Sequence, residues 1–230
     1  MRASLRAAAT LLFIASENAA IAQFSGNATL ISDYRFRGVS LSQGNAEPQA
    51  DLAYDSASGW YAGGLASGAK LESRQTEQFV TYGGYSRRIS NGLSWESGAS
   101  NSSFAQASAY SYGEAYVGLA SENYSGRVYY SPSYYNLKAR TIYAEVNAAY
   151  PLQDNVHLLG HFGVLHPVSG NDLSSSQSAS RYDARLGVSA RFADWAGQLA
   201  WVALQKKSTD YPGYEDRNPH AIVFSVSYSF

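Results

Sequence analysis

The chain of 230 residues carries 17 basic and 18 acidic side chains, and this balance gives no electrostatic basis for binding nucleic acid. It has no cysteine, which excludes disulfides, thiol catalysis and metal sites with cysteine ligands. It contains 19 tyrosines, and because tyrosine suits positions between lipid and water, this bias favours a membrane barrel over a globular enzyme.

The N-terminus predicts export. Two arginines precede an apolar run at residues 7–15, and a small-x-small cleavage site stands directly before Gln23. This pattern predicts a cleaved signal peptide at residues 1–22 and a single mature domain at residues 23–230. No later run approaches the roughly 18 apolar residues that a membrane helix needs. In a membrane, this chain would therefore have to be a β-barrel.

Twelve segments of the mature chain have a period of two, with apolar and polar residues alternating as they do along a half-buried strand. Turn-forming residues separate these segments. The predicted strands lie near residues 24–38, 46–55, 60–67, 77–86, 93–101, 110–121, 124–130, 138–150, 156–164, 181–192, 195–201 and 221–230.

Charged side chains share the parity opposite to the apolar one in most of these segments. A soluble core would not bury such a face without many partners, so we expect it to line a watery lumen. The predicted pore-lining residues are Asp33, Arg35, Arg37, Asp51, Glu114, Arg127, Glu145, Arg181, Asp183, Arg185 and Arg191, with Glu47, Asp55 and Glu96 on the same parity. The first and tenth segments hold five of the six arginines, which predicts one basic sector of the wall.

The last segment ends the chain on an apolar face that includes Tyr228 and Phe230. We interpret these two residues as an assembly signal for the barrel-insertion machinery of the outer membrane. The connections after the first, third, fifth, ninth and eleventh strands are the longer ones, including residues 166–180 and 206–218. Long loops on one rim and short turns on the other are typical of outer-membrane barrels of Gram-negative bacteria.

The stretch Ser32-Asp33-Tyr34-Arg35-Phe36-Arg37-Gly38, followed by Val39-Ser40, resembles the opening signature of a proteobacterial family of conserved hypothetical outer-membrane or exported proteins. Residues 48–51 and 59–63 resemble the second and third strands of that family. The resemblance implies a β-barrel of unassigned function, and it carries no catalytic residue over to this chain.

Enzymatic and metal chemistry have little support in the sequence. His157 and His161 share one strand face, but a separation of four residues places them about 13 Å apart, too far for a shared metal. Serines are abundant, so a pairing of a barrel-wall serine with one of these histidines is expected by chance. A membrane-embedded hydrolase that acts on lipid stays open as an alternative. We expect no catalytic residue, no metal and no cofactor. We also expect the tyrosines to serve mostly as anchors at the rims.

Together these patterns predict a 12-stranded antiparallel transmembrane β-barrel, monomeric and embedded in outer-membrane lipid. The favoured function is a narrow pore for small solutes, because twelve strands lie between filled eight-stranded barrels and wide sixteen-stranded channels. One alternative is a structural wall protein whose lumen is plugged by paired charges. The other is the hydrolase.

Overall fold

The alternating segments form long antiparallel strands in a computed structural model, which describes residues 23–71, 74–90, 92–135, 139–169, 179–205 and 218–230. The predicted signal peptide lies outside these residues, as does most of the two loops predicted at residues 166–180 and 206–218. The strands are β1 (Gln23–Ile31), β2 (Arg35–Phe36), β3 (Val39–Ser40), β4 (Glu47–Asp55), β5 (Trp60–Leu71), β6 (Arg74–Ser90), β7 (Leu93–Phe104), β8 (Tyr112–Ala120), β9 (Tyr124–Tyr134), β10 (Ala139–Gln153), β11 (Val156–Ser169), β12 (Arg181–Phe192), β13 (Trp195–Leu204) and β14 (His220–Ser229).

All of these strands except β2 and β3 close into one barrel, in which each strand pairs with its neighbours along the chain. The seam joins β1 to β14, with Asn27 opposite Ser229 and Ile31 opposite Ser225. Beyond the last strand, the backbone N–H and C=O of Phe230 both bond to Gly26 at 3.0 Å. The prediction of a closed antiparallel barrel of twelve strands is therefore confirmed.

The outer surface of the barrel is an apolar band. Large side chains with more than half of their surface exposed include Leu30, Leu52, Val117, Val146, Leu186, Leu199 and Phe224. Aromatic pairs lie at the rim with the short turns, where the rings of Trp60 and Tyr85 are 5.4 Å apart and those of Trp195 and Tyr228 are 5.0 Å apart. Such a band flanked by aromatic residues is the surface that a barrel presents to lipid.

Among the described residues, no helix has the length and the apolar content to cross a membrane. The one helical element described is a single 3-10 turn at Ser108–Tyr110, between β7 and β8.

Several predicted boundaries are wrong: strands such as β9 and β11 run past their predicted ends, and two other differences change the architecture. The long connection expected after the third strand, at residues 68–76, is mostly strand, because β5 and β6 stay paired as far as Leu71 and Arg74. The first strand was expected to reach Gly38 but ends at Ile31. There the hydroxyl of Ser32 accepts a hydrogen bond from the backbone N–H of Phe224, at 2.9 Å, and the chain leaves the wall.

The chain between β1 and β4 folds into the barrel, and we call residues 32–46 the inward segment. It contains the short hairpin of β2 and β3, in which Arg35 pairs with Ser40 and Phe36 with Val39. Tyr34, Val39 and Leu41 are each at most 2% exposed. Asp33, Arg35 and Arg37 therefore stand on this inward segment and not on a wall strand, as the strand prediction had placed them.

The first testable prediction concerns the seam. Deleting Phe230 removes two backbone hydrogen bonds, each worth about 1 kcal/mol, together with the ring that covers Gly26. We expect less folded barrel, measured as the heat-modifiable band on a gel. Phe192→Ala is the matched control, because Phe192 is also an exposed aromatic at a strand end but lies away from the seam. Equal yields of the two variants would contradict a special role for Phe230.

Candidate functional site

The tip of the inward segment is a two-residue hairpin turn made by Arg37 and Gly38. Both have positive φ, at 50° and 79°, as the primed turns that match strand twist require. A Cβ atom at Gly38 would lie 2.7 Å from the Cβ of Asp183 on β12, so only glycine fits there. Arg37, unlike glycine, carries a Cβ atom, and a positive φ costs such a residue about 1 kcal/mol. Its contacts must offset this cost.

Arg37 reaches across the lumen to the far wall. Its two terminal nitrogens donate to the two carboxylate oxygens of Glu114 on β8, at 2.9 and 2.7 Å. Its guanidinium carbon also lies 4.0 Å from the ring centre of Tyr143 on β10 and 5.1 Å from that of Tyr129 on β9. A forked ion pair is one of the strong hydrogen-bonded arrangements of arginine, and the planar guanidinium also stacks well on aromatic rings. The inward segment is thereby fixed across the bore.

Asp33 organises the base of the inward segment. One of its carboxylate oxygens accepts hydrogen bonds from the hydroxyls of Ser40 and Ser42, at 2.5 and 3.1 Å. The other oxygen accepts from Nε of Arg35 at 2.6 Å. Because a buried carboxylate needs such partners, Asp33 holds both arms of the hairpin in one conformation.

Tyr34 and Leu41 tie the inward segment to the near wall. The hydroxyl of Tyr34 donates to Oε1 of Gln78 at 2.8 Å, and the amide of Gln78 donates to the hydroxyl of Ser102 at 2.7 Å. The backbone C=O of Leu41 accepts from the N–H of Lys70 at 2.5 Å. Burial raises the pKa of the Tyr34 hydroxyl, which therefore stays protonated and continues to donate.

A second group of charges lies nearer the rim with the short turns. Nε of Arg127 donates to Glu96, and both side chains are buried. The other oxygen of Glu96 accepts from the hydroxyl of Tyr61 at 3.0 Å, and that hydroxyl lies 2.7 Å from the hydroxyl of Tyr116. The Glu96 carboxylate is therefore paired with a cation and hydrogen-bonded within the wall.

A third group surrounds His161 on β11. Nε2 of His161 lies 2.8 Å from Oδ1 of Asp183, and Nδ1 lies 2.7 Å from Oδ1 of Asn147. Tyr143 adds its hydroxyl, 3.3 Å from Asp183. The hydrolase alternative places a serine beside His157 or His161, but both ring nitrogens of His161 already face other groups. His157 stands opposite Ser189 in the strand register, and no side-chain hydrogen bond joins these two described residues.

Many tyrosines point into the barrel, so the prediction that tyrosine serves mostly as a rim anchor is wrong. Eight described tyrosines are less than 9% exposed: Tyr34, Tyr61, Tyr110, Tyr112, Tyr116, Tyr134, Tyr135 and Tyr143. Alternation gives the facing of four of them, since Tyr110, Tyr112 and Tyr116 share the parity of Glu114 and Tyr143 shares that of Glu145. The alternation predicts inward-facing side chains for Tyr112, Tyr116 and Tyr143, whereas the high tyrosine count favoured positions between lipid and water.

Inward-facing glycines provide the space in which these tyrosines lie. A Cβ atom added at Gly63 would meet the hydroxyl of Tyr82 at 2.2 Å. The same holds for Gly84 beneath Tyr61 and Gly98 beneath Tyr116, each at 2.6 Å, and for Gly163 beneath Tyr143, at 2.1 Å. Each phenol therefore rests on the wall of a neighbouring strand, and its ring does not extend across the bore.

A cavity of about 270 Å³ remains in the lumen beside the inward segment. Nine of the predicted pore-lining residues border it: Asp33, Arg35, Arg37, Asp51, Glu114, Arg127, Glu145, Asp183 and Arg185. Arg181 and Arg191 are not among its lining residues. Arg181 is the first residue of β12 and is 3% exposed, and Arg191 lies near the turn that follows this strand.

The fold is similar to that of solved porins. The NanC porin superposes with a TM-score of 0.60 at 9% identity, over 90% of this chain and 99% of that one. The KdgM porin gives 0.58 at 13% identity over 90% and 99%, and its complex with disordered oligogalacturonate gives 0.56 at 11% over 90% and 98%.

Sequence comparison adds a family. A family model described as "Bacterial protein of unknown function (Gcw_chp)" matches residues 15–230. No curated protein matches the sequence.

The second testable prediction concerns the ion pair across the bore. Arg37→Met leaves a buried carboxylate without its cation and should cost about 3 kcal/mol in the free energy of unfolding. Adding Glu114→Gln should restore part of this loss, because it removes the orphaned charge. Urea unfolding of the refolded barrel measures both effects. Arg87→Met, at an exposed arginine, is the control, with a change expected within about 0.5 kcal/mol. Additive losses in the double variant would contradict a direct pair.

Proposed function

The chain belongs to the Gcw_chp family of bacterial proteins of unknown function, and we propose that it is a narrow outer-membrane pore for small hydrophilic solutes. One observation carries this proposal: the inward segment crosses the bore but leaves a cavity of about 270 Å³ bordered by polar side chains. A wall protein without a transport role would have no need of this space. The complex of the KdgM porin with oligogalacturonate supports a solute-carrying role for a barrel of this shape.

We assign the pore-lining residues to three roles. Asp33, Arg35, Arg37 and Glu114 form the constriction, because they build the inward segment and fix it across the bore. Asp51, Glu145, Asp183 and Arg185 border the space that a solute would occupy, and Arg127 closes one side of it with Glu96. Arg181 and Arg191 stand at the two ends of β12 and contribute to the field of the lumen.

The alternative of a plugged wall protein draws on the same ion pair. Arg37 and Glu114 close the middle of the bore, and if no path remained beside them the barrel would not conduct. A measurement of conductance therefore distinguishes a constricted lumen from a closed one. The protein has no enzymatic role in this proposal.

We also propose where the protein resides and how it arrives there. The signal peptide at residues 1–22 directs export, and Tyr228 and Phe230 on the seam strand are read by the barrel-insertion machinery. The barrel then acts as a monomer in outer-membrane lipid. The rim that carries the inward segment and the 3-10 turn faces the cell exterior, since the short turns belong on the periplasmic side.

The third testable prediction separates a pore from a plug. Replacing residues 35–40 by two glycines, together with Asp33→Asn and Glu114→Gln, removes the hairpin without leaving either buried carboxylate unpaired. We expect small, stable single-channel currents from the wild type in planar bilayers and a severalfold larger conductance from this variant. Arg87→Met, at an exposed arginine away from the inward segment, is the control and should conduct nearly as the wild type does. Silence from both the wild type and the hairpin variant would establish a structural wall protein.

The fourth testable prediction concerns location and orientation. An epitope tag inserted after Ser108, in the 3-10 turn, should bind antibody on intact cells, because this turn shares the outer rim with the inward segment. A tag inserted after Ser58, in the turn between β4 and β5, should bind only after the outer membrane is permeabilised. The reverse pattern would overturn the orientation.

A further inference from the structure

His161 borders the lumen cavity, and both nitrogens of its ring face an oxygen atom. Nε2 lies 2.8 Å from Oδ1 of Asp183, and Nδ1 lies 2.7 Å from Oδ1 of Asn147. The hydroxyl of Tyr143 lies 3.2 Å from Nε2. The side chain of His161 keeps 11% of its surface exposed, so water in the cavity can exchange protons with the ring.

Both protonation states of His161 fit this place. A protonated ring donates from both nitrogens and matches the two oxygens as they stand. A neutral ring with its proton on Nε2 still donates to Asp183. It fits once the amide of Asn147 turns by a half rotation and donates from Nδ2 to Nδ1 of the ring. The ring can therefore gain or lose a proton inside the folded barrel.

The charged groups around His161 come from the two strands that pair with β11. His161 stands opposite Arg185 on β12, and the next inner position, Gly163, stands opposite Glu145 on β10 and Asp183 on β12. With a protonated His161, its ring and the three charged side chains carry two positive and two negative charges. With a neutral His161, one negative charge is in excess.

The inward segment adds charges to the same region, and these are balanced among themselves. Arg37 is paired with Glu114, and Arg35 is paired with Asp33. These two pairs contribute no net charge. The charge balance beside the tip of the inward segment therefore depends on the proton of His161.

The group around His161 lies at the constriction. A Cβ atom at Gly38 would lie 2.7 Å from the Cβ of Asp183, and the guanidinium carbon of Arg37 lies 4.0 Å from the ring centre of Tyr143. The tip of the inward segment thus rests on the two side chains that contact the ring of His161. An ion that passes this tip comes close to the group, where little water screens its charge.

We propose that His161 is a selectivity-determining residue of the lumen, whose loss of a proton leaves the constriction with an excess negative charge and turns the pore toward cations. Rings and patches of charge set the selectivity of pores, and histidine is the side chain whose charge ordinarily changes near neutral pH. Proton loss removes a positive charge and leaves the carboxylates of Asp183 and Glu145 in place, so the preference for cations rises as the pH rises. This inference rests on the proposed pore and names a residue that regulates it.

The test is a measurement of reversal potential with the refolded barrel in planar bilayers, under a gradient of KCl and with the same pH on both sides. For the wild type, we expect the permeability ratio of K⁺ to Cl⁻ to rise about twofold or more between about pH 5.5 and about pH 8.5. His161→Gln can still donate to Asp183 but has no proton to lose. Its ratio should resemble that of the wild type at the higher pH and should change little with pH.

The matched control replaces the other three of the four histidines, His157, His166 and His220, by glutamine. His157 stands on β11 opposite Ser189, toward the rim with the short turns, and His166 and His220 are exposed. This triple variant keeps His161 as its one histidine and should show the full shift of the wild type. It tests the proposal even where His161→Gln yields no heat-modifiable barrel.

The outcomes separate this inference from the pore itself. A shift that persists in His161→Gln, or that disappears in the triple variant, would overturn the role of His161. A barrel that conducts with a permeability ratio independent of pH would overturn the inference and leave the pore standing. A barrel that conducts at no pH would overturn the pore and this role of His161 with it.

Discussion

The ion pair between Arg37 and Glu114 determines the interior of this barrel. It joins the tip of a segment that leaves the wall after β1 to a strand on the far side of the lumen. Two buried charges are expensive apart and tolerable together, so the inward segment has one stable position. The stacking of Arg37 on Tyr143 and the contact of Gly38 with Asp183 both follow from that position. The bore is therefore narrow for a local reason, independent of the number of strands.

Sequence alternation predicted the barrel wall well, because a period of two has a direct physical cause. Glu114, Arg127 and Asp183 were placed on the inner parity of their strands, and all three are buried inside the barrel. Alternation failed at residues 32–38, where the period continues although the wall does not. A two-residue hairpin keeps the alternation of apolar and polar residues intact, so this pattern does not reveal the turn. Arginine before Gly38 is also a less usual turn residue than asparagine or aspartate, which weakened the local signal.

The partners of the charged residues lay beyond what the sequence could show. Arg37 was expected in a basic sector of the wall, but its carboxylate is on β8, 77 positions along the chain. The assignment of Glu96 to Arg127 likewise depends on strand register and on the side chains that lie between them. A single sequence gives the facing of a side chain. It does not give the pairing, which depends on how the barrel closes.

The width of the lumen depends on pairs of positions, in each of which a glycine lies beneath a tyrosine of the neighbouring strand. Gly63 and Tyr82 share one volume on adjacent strands, as do Gly98 and Tyr116 and also Gly163 and Tyr143. A methyl group at any of these glycines would push the phenol off the wall and into the bore. Relatives of this chain could thus vary the width of the lumen by gaining or losing one methyl group, with the backbone of the barrel unchanged. Such pairs should change together during divergence.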